Sequence, residues 1–188
     1  MCGILFIDSV DATANEANKH RGPDKTEVIT KNDSTFVFHR LAINDTSSLG
    51  DQPFVCNDTT FMCNGEIYNS HELSMSFSVT DCISSSDCEV LAHLIDKEID
   101  LGVLCNNIDG VFAFVAKRQS TVFAARDPIG IRPLFYGYTS LGKICFSSEM
   151  KGLINICDTI TEFPPGHYMI DNRLFCYYNL TKVPSVYS

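Results

Sequence analysis

At 188 residues, 45% hydrophobic and 20% charged, the chain has the size and composition of one domain with a sizeable core, which excludes global disorder. Acidic residues outnumber basic ones by 23 to 14, and the formal net charge of -9 repels phosphate backbones and anionic lipid, so neither nucleic acid nor a membrane surface is expected as a partner. Nine cysteines include no CxxC pair; Cys56 with Cys63 and Cys82 with Cys88 come closest, neither with His or Cys at zinc-ligand spacing, so reduced thiols, a cytoplasmic setting and no metal site are expected.

No signal peptide is expected ahead of the first apolar run, and no stretch is long and apolar enough to span a bilayer. That run, Cys2 to Ile7, reads as a buried strand that holds the start of the chain in a fixed place. Ser9 to Lys19 has weak helical character and leads into a turn at Arg21-Gly22-Pro23-Asp24. Strands are expected over Glu27 to Thr30 and Thr35 to His39, joined by an Asn32-Asp33 hairpin turn. Thr60 to Cys63 reads as a short strand broken by Asn64-Gly65, followed by a Ser-rich connection. Ser86-Asp87-Cys88-Glu89 has the capping-box pattern, with Val90, Leu91, Leu94, Ile95 and Ile99 forming one helical face and Gly102 placed to end it. Gly110 to Ala116 and Thr121 to Ala125 form an antiparallel pair around Arg118-Gln119, with further strands at Leu134 to Tyr138, Lys143 to Ser147 and Tyr168 to Ile170. Hairpins dominate and βαβ alternation is missing, so the expected class is α+β, one domain over 1–188 built on antiparallel sheets.

Cys2 carries the most specific chemistry. A thiol attacks acyl carbon as thiolate and needs a base. Once Met1 is removed, the α-amine of Cys2 supplies one on the same residue, with a reference pKa of about 7.7–8.0. The bland alternative is a core cysteine of the first strand. Asn64 and Gly65 can donate a side-chain and a backbone N–H to an oxyanion, although Asn-Gly is also a common turn. Arg40 can clamp an α-carboxylate bidentately, against the alternative of a solvated strand-end charge. Asp87 can accept from an α-ammonium group, or simply favour a helix N-terminus.

Together these motifs resemble the class II glutamine amidotransferases, most closely the glutaminase domain of asparagine synthetase. The resemblance rests on Met1-Cys2-Gly3, His20 to Asp24, His39 to Ile43, Cys63 to Asn69 and Ser86 to Val90. It continues through Asp109 to Phe114, Ala125 to Leu134, Ser147 to Lys151 and Phe163 to Tyr168. It implies an N-terminal-nucleophile fold, a four-layer αββα sandwich of two antiparallel sheets. The implied reaction is hydrolysis of glutamine to glutamate and ammonia, with Cys2 as nucleophile and its α-amine as base. By the same resemblance Asn64 and Gly65 form the oxyanion hole, Arg40 binds the carboxylate and Asp87 the ammonium. Leu41, Ile43 and Glu66 line the pocket, and Ser148 to Lys151 faces a synthetase domain. No cofactor is implied for this step; ATP and Mg belong to a synthetase domain or subunit that receives the ammonia.

The chain departs from the family pattern in three places. No SGG-type pyrophosphate loop occurs before Ser188, the stretch ahead of Arg21 is shorter than usual, and Asn44 stands where an apolar residue is more common. A non-catalytic glutamine-binding or interaction module, another N-terminal-nucleophile amide hydrolase, and an amidophosphoribosyltransferase-type glutaminase are the competing readings.

Overall fold

The computed structural model describes residues 1–11 and 16–180. In chain order its strands are β1 (Gly3–Ile7), β2 (Lys25–Lys31), β3 (Ser34–Arg40), β4 (Phe54–Cys56) and β5 (Thr59–Ile67). Three helices follow, α1 (Ser70–Ser76), α2 (Glu89–Asp96) and α3 (Leu101–Asn107). The remaining strands are β6 (Gly110–Arg118), β7 (Thr121–Arg126), β8 (Phe135–Tyr138), β9 (Ile144–Ser147), β10 (Thr159–Glu162), β11 (His167–Ile170) and β12 (Arg173–Cys176). They form two six-stranded antiparallel sheets, ordered β10-β8-β9-β1-β3-β2 and β12-β11-β7-β6-β5-β4.

Period-two alternation sorts the side chains into layers. In β1, Ile4 and Phe6 pack between the sheets with Phe36, Phe38, Met62 and Phe146, while Leu5 and Ile7 face outward against Leu153 and Cys157. In β5, Met62 faces the other sheet, whereas Phe61, Cys63 and Ile67 pack under Leu91 and Leu94 of α2. The expected stacked sheets are therefore present, with α1 to α3 covering the second sheet. Over the first sheet, among the described residues, the outer layer is reduced to 3-10 turns at Glu16–Arg21 and Met150–Gly152. Residues 12–15, within the stretch of weak helical pattern, lie outside the described residues.

The Asn32-Asp33 hairpin turn forms, with both residues at positive φ (52° and 57°). The β6–β7 turn sits one residue later than expected, on Gln119-Ser120. Three local expectations are corrected. Asn64-Gly65 does not break a strand, since β5 runs straight through it, paired to Ala113 and Phe112 of β6. The helical pattern beyond Ser86 is two helices: α2 stops at Asp96, Glu98 turns back at φ 62°, and Gly102 lies inside α3, which Asp100 caps through the Val103 N–H. The capping box does not close either. Glu89 instead accepts from the Ile83 and Ser84 amides, while Ser86 Oγ accepts from Cys88 N.

Candidate active site

Several side chains fasten the start of β1. Ile4 N donates to Ser148 Oγ at 2.9 Å, and the Ile4 carbonyl accepts from Ser148 N and from Asn18 Nδ2. Ser148 is fully buried, so of the Ser148 to Lys151 block that residue serves the interior rather than an outer face. Arg21 Nε donates to the Cys2 carbonyl at 3.0 Å. The Arg21 to Asp24 turn docks on the end of β3, where Asp24 Oδ2 accepts from Ala42 N and the Asp24 N–H donates to the Arg40 carbonyl. Gly22 lies so close there that any Cβ would collide with the His39 carbonyl.

Cys2 therefore enters the layer between the sheets at a fixed point. Its Sγ accepts from Leu41 N at 3.4 Å and lies 3.7 Å from the Leu41 carbonyl. Burial pushes the thiol above its ordinary pKa, with the Leu41 amide pulling the other way. The sulfur rests protonated and needs a base to become nucleophilic.

The thiol opens onto a cavity of about 130 Å³ that Arg40, Leu41, Ile43, Asn64, Gly65, Glu66 and Asp87 also line. Every residue singled out for glutamine chemistry thus meets in one place. Asn64 shares the parity of Met62 on β5 and faces the inter-sheet layer with Cys2. Its side chain is buried and its Nδ2 has no hydrogen-bond partner among the described residues. A buried amide donor without a partner costs about 1–3 kcal/mol, a cost that an acceptor bound in the cavity would relieve.

Pairing leaves alternate β5 amides facing away from β6. On that edge Gln52 stands in for a strand, with Oε1 accepting from Cys63 N at 2.6 Å and Nε2 donating to Cys63 O at 3.2 Å. Farther along, Ile67 N donates to Asp87 Oδ2 at 2.5 Å. The Gly65 N–H lies between these two and points the same way, toward the cavity. Glycine is needed there because a Cβ would meet Val111 O at 2.6 Å, on the β6 side.

Arg40 is buried rather than solvated. Its Nη1 donates to the Ser47 carbonyl at 2.7 Å and to Asp51, and its Nη2 donates to the Asp45 carbonyl. An end-on fork is therefore already committed; the remaining Nη2 and Nε protons are what it can still offer to a carboxylate. The Asp87 carboxylate is held by Ile67 N and by Asn44 Nδ2 at 2.9 Å, so the unusual Asn44 orients an acceptor rather than lining a greasy wall.

A family model of the glutamine amidotransferase domain matches residues 1–172. The chain belongs to the class II glutamine amidotransferases. Among similar curated proteins, the glutamine-hydrolysing asparagine synthetase of Sandersonia aurantiaca is 40% identical over 181 residues, covering 89% of this chain and 34% of that protein. A probable asparagine synthetase of Dictyostelium discoideum is 39% identical, covering 89% of this chain and 33% of that protein. This amidotransferase domain thus spans about a third of the length of these relatives. The solved glutamine phosphoribosylpyrophosphate amidotransferase of B. subtilis shares the fold, with a TM-score of 0.72 at 21% identity over 94% of this chain and 49% of that one.

Two lining residues of this amidotransferase were not evident as site residues in the sequence. Gln52 acts through its side-chain pairing with Cys63, a contact with no local sequence mark. Arg132 brings a second guanidinium to the cavity wall, 3.5 Å from Glu66, with its buried Nε unpartnered among the described residues. It is aimed by the loop after β7, where buried Asp127 gathers the amides of Ile129, Gly130, Ile131 and Arg132.

Arg21, which holds the Cys2 carbonyl, is itself held by Glu149 at 3.0 Å, and the same carboxylate takes His20 and Lys151. Burial raises the Glu149 pKa, but hydrogen bonds from Arg21, Lys151 and His20 outweigh it and bring it down to about 2. A carboxylate lowered from 4.5 stabilises the fold at higher pH, and that stability is lost as pH falls through about 2. Glu149→Gln is expected to cost about 1–2 kcal/mol near neutrality. In denaturant titrations the deficit should shrink steadily below about pH 4.5 and vanish near about pH 2.

Proposed function

We propose that this domain hydrolyses glutamine to glutamate and ammonia through a thioester on Cys2. Removal of Met1 turns the Cys2 nitrogen from a peptide amide into a free amine, which takes the thiol proton as Sγ attacks the side-chain carboxamide carbon. The C–S bond forms, the carbonyl electrons move onto oxygen, and Asn64 Nδ2 with the Gly65 N–H receives that oxyanion. The amine then passes the proton to the departing nitrogen, the C–N bond breaks and ammonia leaves. Water adds to the thioester, the C–S bond breaks, and the sulfur recovers its proton as glutamate is released.

Arg40, with the remaining donors of its guanidinium, and Asp87, held in place by Asn44 and Ile67, grip the α-carboxylate and α-ammonium of glutamine. A substrate lacking those groups would strand both charges. Ammonia is consumed by a synthetase domain or subunit, as in the asparagine synthetases the chain resembles, and ATP and Mg act there rather than in this cavity. The setting is cytoplasmic.

The observation that carries this reading is the unpartnered, buried Asn64 Nδ2 in the same cavity as Cys2 Sγ. The test is alkylation of the Met1-processed protein by a diazo-ketone norleucine analogue of glutamine. One adduct on Cys2, suppressed by excess glutamine, is expected. No adduct at that sulfur, or glutamine binding with Met1 retained and unchanged by Cys2→Ser, would replace the enzyme with a binding module.

A further inference from the structure

We infer that Cys56, Cys82, Glu89 and His93 form a binding site for a zinc-like divalent cation, apart from the glutamine cavity. None of the four lines that cavity. His93 Nε2 lies 3.7 Å from Cys56 Sγ and 3.6 Å from Glu89 Oε1. The donor atoms of Cys82, Glu89 and His93 all lie within 4.8 Å of one another. A tetrahedral zinc with bonds of about 2.3 Å to sulfur and about 2.0–2.1 Å to nitrogen or oxygen has donor-to-donor edges of about 3.3–3.8 Å. The His93–Cys56 and His93–Glu89 separations already have that length, while Cys56 lies outside the close trio, so both sulfurs have to draw in, and Cys82 is on an exposed loop.

Three elements converge on the cluster. Cys56 closes the edge strand β4, Glu89 and His93 share one face of α2 at i and i+4, and Cys82 comes from the connection between α1 and α2. Glu89 is oriented by the outer contacts that ligating carboxylates usually have. Its Oε1 accepts from Ile83 N at 3.0 Å, and its Oε2 accepts from Ser84 N at 2.8 Å and Ser84 Oγ at 2.5 Å. Of about four lone-pair positions on the carboxylate, one on Oε1 remains on the side facing His93. Two thiols with an imidazole and one carboxylate suit zinc or cobalt, not magnesium or calcium.

Binding expels two thiol protons to solvent as the sulfur–metal bonds form. The loop that the cation would clip to the sheet runs on directly to Ser86 and Asp87, so an occupied site would brace one wall of the glutamine cavity.

Cobalt(II) titrated into the metal-stripped, reduced full chain tests the site. We expect about one cobalt per chain, a near-ultraviolet thiolate-to-cobalt band with strong visible bands of a tetrahedral site, and displacement by zinc. Cys56→Ser and Cys82→Ser should each lower the thiolate band by about half and together abolish it, His93→Gln should weaken binding by about 10–100-fold, and Cys2→Ala should leave both unchanged. Because Cys82 is exposed, its variant is not expected to disturb folding, and circular dichroism checks this. No thiolate band at equimolar cobalt, or a band undiminished in Cys82→Ser, would overturn the assignment. The Cys2→Ala control separates that failure from any failure of the glutaminase reading.

Discussion

Replacing Cys2 with alanine is expected to reduce ammonia release from glutamine by about 10⁴-fold or more, while leaving glutamine affinity within a few-fold. The loss is large because in the proposed reaction the nucleophile and its base act as one unit, so removing the sulfur removes the whole covalent route. Affinity survives because Arg40 and Asp87, each held by contacts of its own, do not depend on the sulfur for their position. A form that keeps Met1 should be equally inactive, since its Cys2 nitrogen is an amide with no basicity to lend. Ammonia and glutamate assays with intact-mass control of residue one measure the effect. Activity within about tenfold of the parent in either form would mean that another group carries the reaction.

Asn64→Ala is the second large effect, and its signature is a split between rate and stability. Losing one oxyanion donor costs about 10²–10³ in kcat, or about 2.7–4 kcal/mol. KM should hardly move, because the donor meets charge that develops only after attack. An asparagine that served the fold would be expensive to remove. This one carries a donor with no partner among the described residues, and deleting it relieves a desolvation penalty that offsets the small void. The melting temperature should therefore stay within about 3 °C of the parent. A steep fall in both kcat and melting temperature would show that Asn64 holds the strand rather than the oxyanion. Gly65→Ala cannot serve the same purpose, since its Cβ would strike the β6 backbone.

Much of the sandwich was legible because alternation and turn chemistry are local. The buried first strand, the Asn32-Asp33 hairpin and the β6–β7 pair all follow from residues near one another in the chain. Asn64-Gly65 misled because both residues have weak strand propensity. Strand form is imposed on them by β6 on one side and by the Gln52 side chain next to them, neither visible in a short window. The α2–α3 break misled for the opposite reason, since the apolar period carries on through a left-handed Glu98 that nothing in the period announces. Within the site, residue identities were readable but their commitments were not. The occupation of Arg40 by the Asp45 and Ser47 carbonyls, the arrival of Arg132 and the meeting of Cys56 with His93 all depend on tertiary packing.

β1 occupies the middle of its sheet, with β9 and β3 on either side and the edges left to β10 and β2. Every residue of β1 is buried, whereas no residue of β2 or β10 is. Fraying is therefore expected to begin at strands that do not carry Cys2, with β3 still in place between β2 and Cys2. The thin cover on that side of the molecule then loosens its rim while the position of the sulfur stays as rigid as the interior.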